Sequence, residues 1–134
     1  MRNFVLLGLL SLGLVAVFSS TSVLAKPDFL RHIKSSYGLG DNIKCTLCHD
    51  VKGSEKPKKT NLGTFGKEYQ TALQKYTKNN LDAIVKEIDG KDTDGDGATN
   101  GEELRLGTMP GDASSTPTKD ALEKFRKSQP KPKK

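Results

Sequence analysis

Two cysteines and a histidine stand together in Cys45-Thr46-Leu47-Cys48-His49, and the chain holds no other cysteine. Thiols one helical turn apart can each form a thioether with a haem vinyl group, while the adjacent imidazole reaches the iron from the proximal face. Cys45 and Cys48 are therefore read as covalent attachment points and His49 as an axial iron ligand. The same residues admit other chemistry. A disulfide or redox pair would suit an oxidising compartment, although no strand-helix-strand pattern surrounds the motif as a thioredoxin-like site requires. Zinc would have to draw on Cys45, Cys48, His32 and His49 together, and neighbouring Cys48 and His49 make an awkward pair for a tetrahedral site.

The sixth iron position decides whether such a group only carries electrons or also takes up a small molecule. Met109, the sole methionine after Met1, is the first candidate. His32, 13 residues before Cys45, is the alternative, and an open position is the third possibility.

A second constellation lies at residues 92–103. Asp92, Asp94 and Asp96 fall at positions 1, 3 and 5 of a twelve-residue calcium loop, Gly97 at the sharp turn and Glu103 at the closing bidentate position. Ala98 would offer its carbonyl, and Asn100 would act through water. Carboxylates this close repel one another without a cation, so a structural Ca2+ is expected; an all-oxygen protein cage suits calcium better than magnesium. Thr99 replaces the usual aliphatic residue at position 8 and no second loop is present, which argues against a calcium switch.

The elements that must position these groups read as short helices. Residues 28–36 place Phe29, His32, Ile33 and Ser36 on one face, with Gly38 and Gly40 ending the helix. Stripes recur at Phe65, Tyr69, Leu73 and Tyr76, and at Leu81, Ile84, Val85 and Ile88. Thr116-Pro117 reads as an N-cap and first helical residue of a last helix through Phe125. Between the cysteine motif and the second helix, Gly53, Pro57 and four lysines (Lys52, Lys56, Lys58, Lys59) mark an exposed loop.

Residues 1–25 read as a secretory signal peptide, with Arg2, an apolar run from Phe4 to Phe18 and small residues up to Ala25. That run is too short for a spanning helix, so no stable membrane insertion is expected after cleavage. Residues 26–123 would form one domain and residues 124–134, with six basic residues and no acid, a basic disordered tail. After position 25 only 18 of 109 residues are Leu, Ile, Val or Phe, about 17%, so a cofactor and a metal ion are expected to complete a core this small.

With CTLCH, with Asn61-Leu62-Gly63-Thr64-Phe65-Gly66-Lys67-Glu68-Tyr69 behind it and with the acidic loop, the chain resembles the small monohaem c-type cytochromes of bacterial periplasm and cell envelope. The loop itself is similar to EF-hand loops and to the calcium repeats of thrombospondin type 3 and dockerin proteins. The resemblance implies a mainly α, cytochrome c-like domain wrapped around one covalent haem c. It also implies one-electron transfer rather than enzymatic turnover, in the periplasm or outside the cell, with no nucleic-acid partner. The Met109-Pro110 pair is similar to the distal-ligand context of many such cytochromes. A redox partner with an acidic docking patch would complement the loop lysines. Two alternatives stay open: a haem sensor or small peroxidase with a free sixth position, and a calcium-dependent binding module with a Cys45–Cys48 disulfide.

Overall fold

The computed structural model describes residues 27–52, 55–58, 60–76 and 80–130. The expected leader, Gly53 and Lys59 of the lysine loop, and residues 131–134 of the tail lie outside the described residues. The fold is mainly helical: α1 (Pro27–Tyr37), α2 (Thr64–Lys75), α3 (Leu81–Asp89), α4 (Asn100–Leu106) and α5 (Lys119–Ser128). A 3-10 turn, Cys45–Leu47, stands between α1 and α2. No strand occurs among the described residues, and one isolated antiparallel bridge joins His49 to Leu62.

α3 is the central helix and touches α1, α2 and α4. Its Ile84 and Ile88 are fully buried, and the Asn80 side chain caps its start by accepting from the Ala83 amide at 3.2 Å. Phe65 and Tyr69 from α2, Ile33 and Tyr37 from α1 and Leu104 from α4 close around them. Each fully buried side chain of this kind is worth about 1.5–3 kcal/mol.

Three features differ from the sequence reading. The buried face of α1 turns toward Tyr37 rather than Ser36, which is exposed. A tyrosine can bury its ring there because its hydroxyl donates to Asp89 Oδ1 at 3.0 Å. α4 was not anticipated; a capping box between Thr99 and Glu102 starts it, and Gly107, at φ 81°, ends it. α5 is capped by Thr118, whose hydroxyl accepts from the Ala121 amide at 3.3 Å, not by Thr116; Pro117 is buried ahead of the cap. The helix runs on to Ser128, so Lys124, Arg126 and Lys127 are helical rather than part of a disordered tail.

Candidate functional site: a histidine-lined cavity beside an acidic loop

The Cys45–His49 segment folds on itself: the amides of Cys48 and His49 both donate to Cys45 O, at 3.1 and 2.9 Å. The chain that follows clasps it. Gly63 N donates to Cys48 O at 3.0 Å and Asp50 N to Asn61 O at 2.9 Å. The Asn61 side chain holds the loop between them, donating to Asp50 O at 3.0 Å and accepting from Lys58 N at 2.7 Å. Gly66, in the first turn of α2, lies against Cys48 so closely that a Cβ would sit 1.9 Å from Cys48 O.

His49 is 7% exposed, and its Nδ1 lies 3.1 Å from Lys58 O. A carbonyl only accepts, so Nδ1 carries the proton and Nε2 keeps its lone pair for a ligand's metal. The imidazole lines a cavity of ≈ 390 Å³, together with Leu47, Phe65, Met109, Pro110 and Gly111. Met109 and His49 thus share one cavity although 60 residues separate them in sequence. The Met109 turn is seated on α2, where a Cβ on Gly111 would lie 2.9 Å from Phe65 N, and Met109 N donates to Ser115 Oγ at 3.0 Å.

His32 is not brought to this cavity. Its Nε2 sits 3.1 Å from Asp82 Oδ1, without hydrogen-bond geometry. Both cysteines are free thiols; Cys45 is exposed, while burial, aided by Cys45, pushes the Cys48 thiol up to about 12. Nearby, the Tyr69 hydroxyl is buried with no partner. Neither cysteine lines the His49 cavity, whose wall mixes Leu47, Phe65 and Pro110 with Thr46, Asp50 and Asp112; His49 and Met109 are the two side chains on it of the kinds that ligate haem iron.

The acidic loop packs against the other side of the Met109 turn. Ligand oxygens of Asp92, Asp94 and Asp96 lie within 4.8 Å of one another. Asp92 shapes the loop, accepting from the amides of Gly95 and Gly97 at 2.8 and 3.0 Å, and Gly97 supplies the sharp turn at φ 95°. Glu103 is fully buried and neither of its carboxylate oxygens has a partner; Asp94 Oδ2 and Asp96 Oδ2 are also buried and unpaired. Burial first, and then Asp94, Asp96 and Asp92, raise the Glu103 carboxyl to about 8. Three carboxylates with unspent oxygens, Asp94, Asp96 and Glu103, beside Asp92 form a donor set of the kind that hard divalent cations take.

Asn100 is engaged at both ends of its amide, accepting from Thr93 N at 3.2 Å and donating to Ile88 O at 2.9 Å, and so ties the loop to α3. Sequence reasoning missed Arg126, whose guanidinium pairs with Glu102 at 2.7 Å and donates to Gly97 O at 3.0 Å, bracing the loop from α5. That pairing crosses 24 residues and carries no local signal.

Residues 92–110 match the family model of the bacterial TSP3 repeat. The repeat covers the acidic loop, α4 and the turn through Met109 and Pro110. No curated protein and no solved structure matches the chain. Among the described residues, no helix is long and apolar enough to cross a membrane.

Proposed function

We propose that this chain is an exported one-haem c-type electron carrier whose TSP3 repeat holds a structural calcium ion. The observation that carries the reading is His49: it closes a C-x-x-C-H turn, its Nδ1 is committed to Lys58 O, and its imidazole shares a cavity with Met109. Haem, once attached, supplies a metal that gains and loses a single electron. The residues of the chain would hold it, Cys45 and Cys48 through thioethers and His49 and Met109 as ligands to the iron. Exposed Lys52, Lys56 and Lys58 on the neighbouring loop would receive an acidic partner. Residues 1–25 have the pattern of an export signal, which agrees with attachment outside the cytoplasm.

The absorption spectrum of the mature protein, produced with haem-attachment machinery, tests this. Low-spin bands with a thioether-to-iron feature are expected; a colourless protein sinks the reading and leaves a calcium-binding module.

A second reading has one observation in its favour. Met109 belongs to the matched repeat and is already explained as its exit turn, so the iron's sixth position would be open, as in a sensor or small peroxidase. A high-spin spectrum and immediate carbon monoxide binding by the reduced protein would decide for it.

A further inference from the structure

The two sites meet at the Met109 turn. Glu103, whose side chain points its unpaired oxygens into the acidic loop, uses its backbone carbonyl to hold the Met109 turn: Thr108 N donates to Glu103 O at 2.9 Å and Thr108 Oγ1 at 3.4 Å. Gly107, the left-handed cap of α4, also directs its amide at Glu103 O. The next residue is Met109, on the cavity wall with His49. On the far side of the turn, the Asp112 amide donates to Met109 O at 3.1 Å and also lies beside the Asp94 carboxylate, which burial pushes up. A carboxylate of the loop therefore stands at each end of the methionine turn.

We propose that calcium in the acidic loop sets the position of Met109, so that binding of the cation controls whether methionine occupies the sixth position of the iron. The inference rests on the haem and calcium reading above and extends it. The physical cause is the state of Glu103 without a cation. Its carboxylate is fully buried beside the acidic cluster with both oxygens unpaired, a placement that a cation would satisfy and that costs free energy without one. Because Glu103 O is the acceptor for Thr108, a backbone shift that relieves the uncompensated carboxylate would displace the Thr108 anchor with it. Gly111 against Phe65 and Ser115 against the Met109 amide keep the turn on α2, so what changes is the reach of one side chain rather than the fold.

Coupling of this kind is reciprocal: if calcium favours methionine ligation, which raises the potential, then the reduced protein binds calcium more tightly than the oxidised one. A roughly tenfold difference in calcium affinity would correspond to about 59 mV in potential.

The test is a calcium titration of the chelator-treated, haem-loaded protein, reading the thioether-to-iron band, the potential and the far-ultraviolet circular dichroism together. The expected result is a band that appears in step with calcium binding measured by calorimetry, at constant helix content. Glu103→Gln guards against simple unfolding: it replaces a buried unpaired charge by a neutral side chain of the same shape and should stay folded, yet lack both the tight calcium site and the calcium-dependent band. A full-strength band in chelated wild type, or in Glu103→Gln without calcium, overturns the inference and leaves the haem reading standing. Haem without the band even in saturating calcium overturns it together with the Met109 assignment. A protein that takes up no haem overturns the haem reading and this inference with it.

Discussion

Gly66 meets Cys48 backbone to backbone, with no room between them for a methyl group: a Cβ on Gly66 would lie 1.9 Å from Cys48 O and 2.8 Å from its carbonyl carbon. Backbone cannot swing aside as a side-chain tip can, so α2 would have to lift off the cysteine turn. Gly66→Ala is expected to destabilise the protein by about 1–3 kcal/mol or more, with thermal unfolding as the readout. The yield of haem-loaded protein should fall with it, since Gly63 and Leu62 grip the same turn. Unchanged stability would mean that α2 does not rest on Cys48.

Glu103 makes the calcium-free protein respond to pH in the direction opposite to most carboxylates. Its folded value, about 8, stands above the ordinary 4.5, so the folded state binds the proton more tightly than the unfolded one. Stability without calcium should therefore be greatest below about pH 4.5 as far as this group is concerned, and decline as pH rises toward about 8. Calcium displaces the proton, so calcium affinity should climb over the same window. Chemical denaturation in chelator across that range, and calorimetric titration beside it, give both slopes; flat profiles would place Glu103 in contact with water.

Loss of that carboxylate should remove tight calcium binding. Outer-shell partners of metal ligands commonly account for 10–100-fold in affinity, so Glu103→Gln, which deletes a direct closing ligand, should weaken calcium binding at least ~100-fold. Isothermal titration at pH 7 checks it.

Arg126 holds Glu102 below the usual carboxylate range while bonding Gly97 O. Because the folded Glu102 value is depressed, the stabilisation is present at neutral pH and fades as pH falls through that value. Arg126→Ala should cost about 0.5–1.5 kcal/mol at neutral pH. It should also weaken calcium binding, since the bend at Gly97 loses its outside brace. Equal stability of variant and parent at pH 7 would show that α5 is only an appendage.

If the lysine loop receives an acidic partner, replacing Lys56, Lys58 and Lys59 by glutamine should slow electron exchange and flatten its dependence on ionic strength. A salt dependence identical to that of the parent removes docking from this face.

Helices with strong apolar stripes were legible in the sequence: α1, α2 and α3 begin and end within two residues of the expected bounds. α4 was not, because seven residues are too few to show a period, and its start is written in a capping box that overlaps the acidic loop. The clustering of Asp92, Asp94 and Asp96 could be read from register alone, since a loop of this kind places its carboxylates at fixed offsets, whereas the Asn100 amide is taken up by Thr93 N and Ile88 O. The cavity could not. Its walls come from Leu47, Phe65 and Met109, and only tertiary packing, Gly66 on Cys48 and Gly111 on Phe65, brings those segments together. Likewise no spacing rule announces that Lys58 lends its carbonyl to His49.

The clasp of residues 45–66 has a consequence for the order of assembly. Every bond that shapes the cysteine turn closes over fewer than about 20 residues, a short search for an unfolded chain, whereas the Met109 side of the cavity must arrive from 60 residues further on. The emerging chain therefore presents Cys45, Cys48 and His49 already arranged but uncovered. On the haem reading proposed above, an attachment apparatus would meet an open hand, and the Met109 side would close over it afterwards.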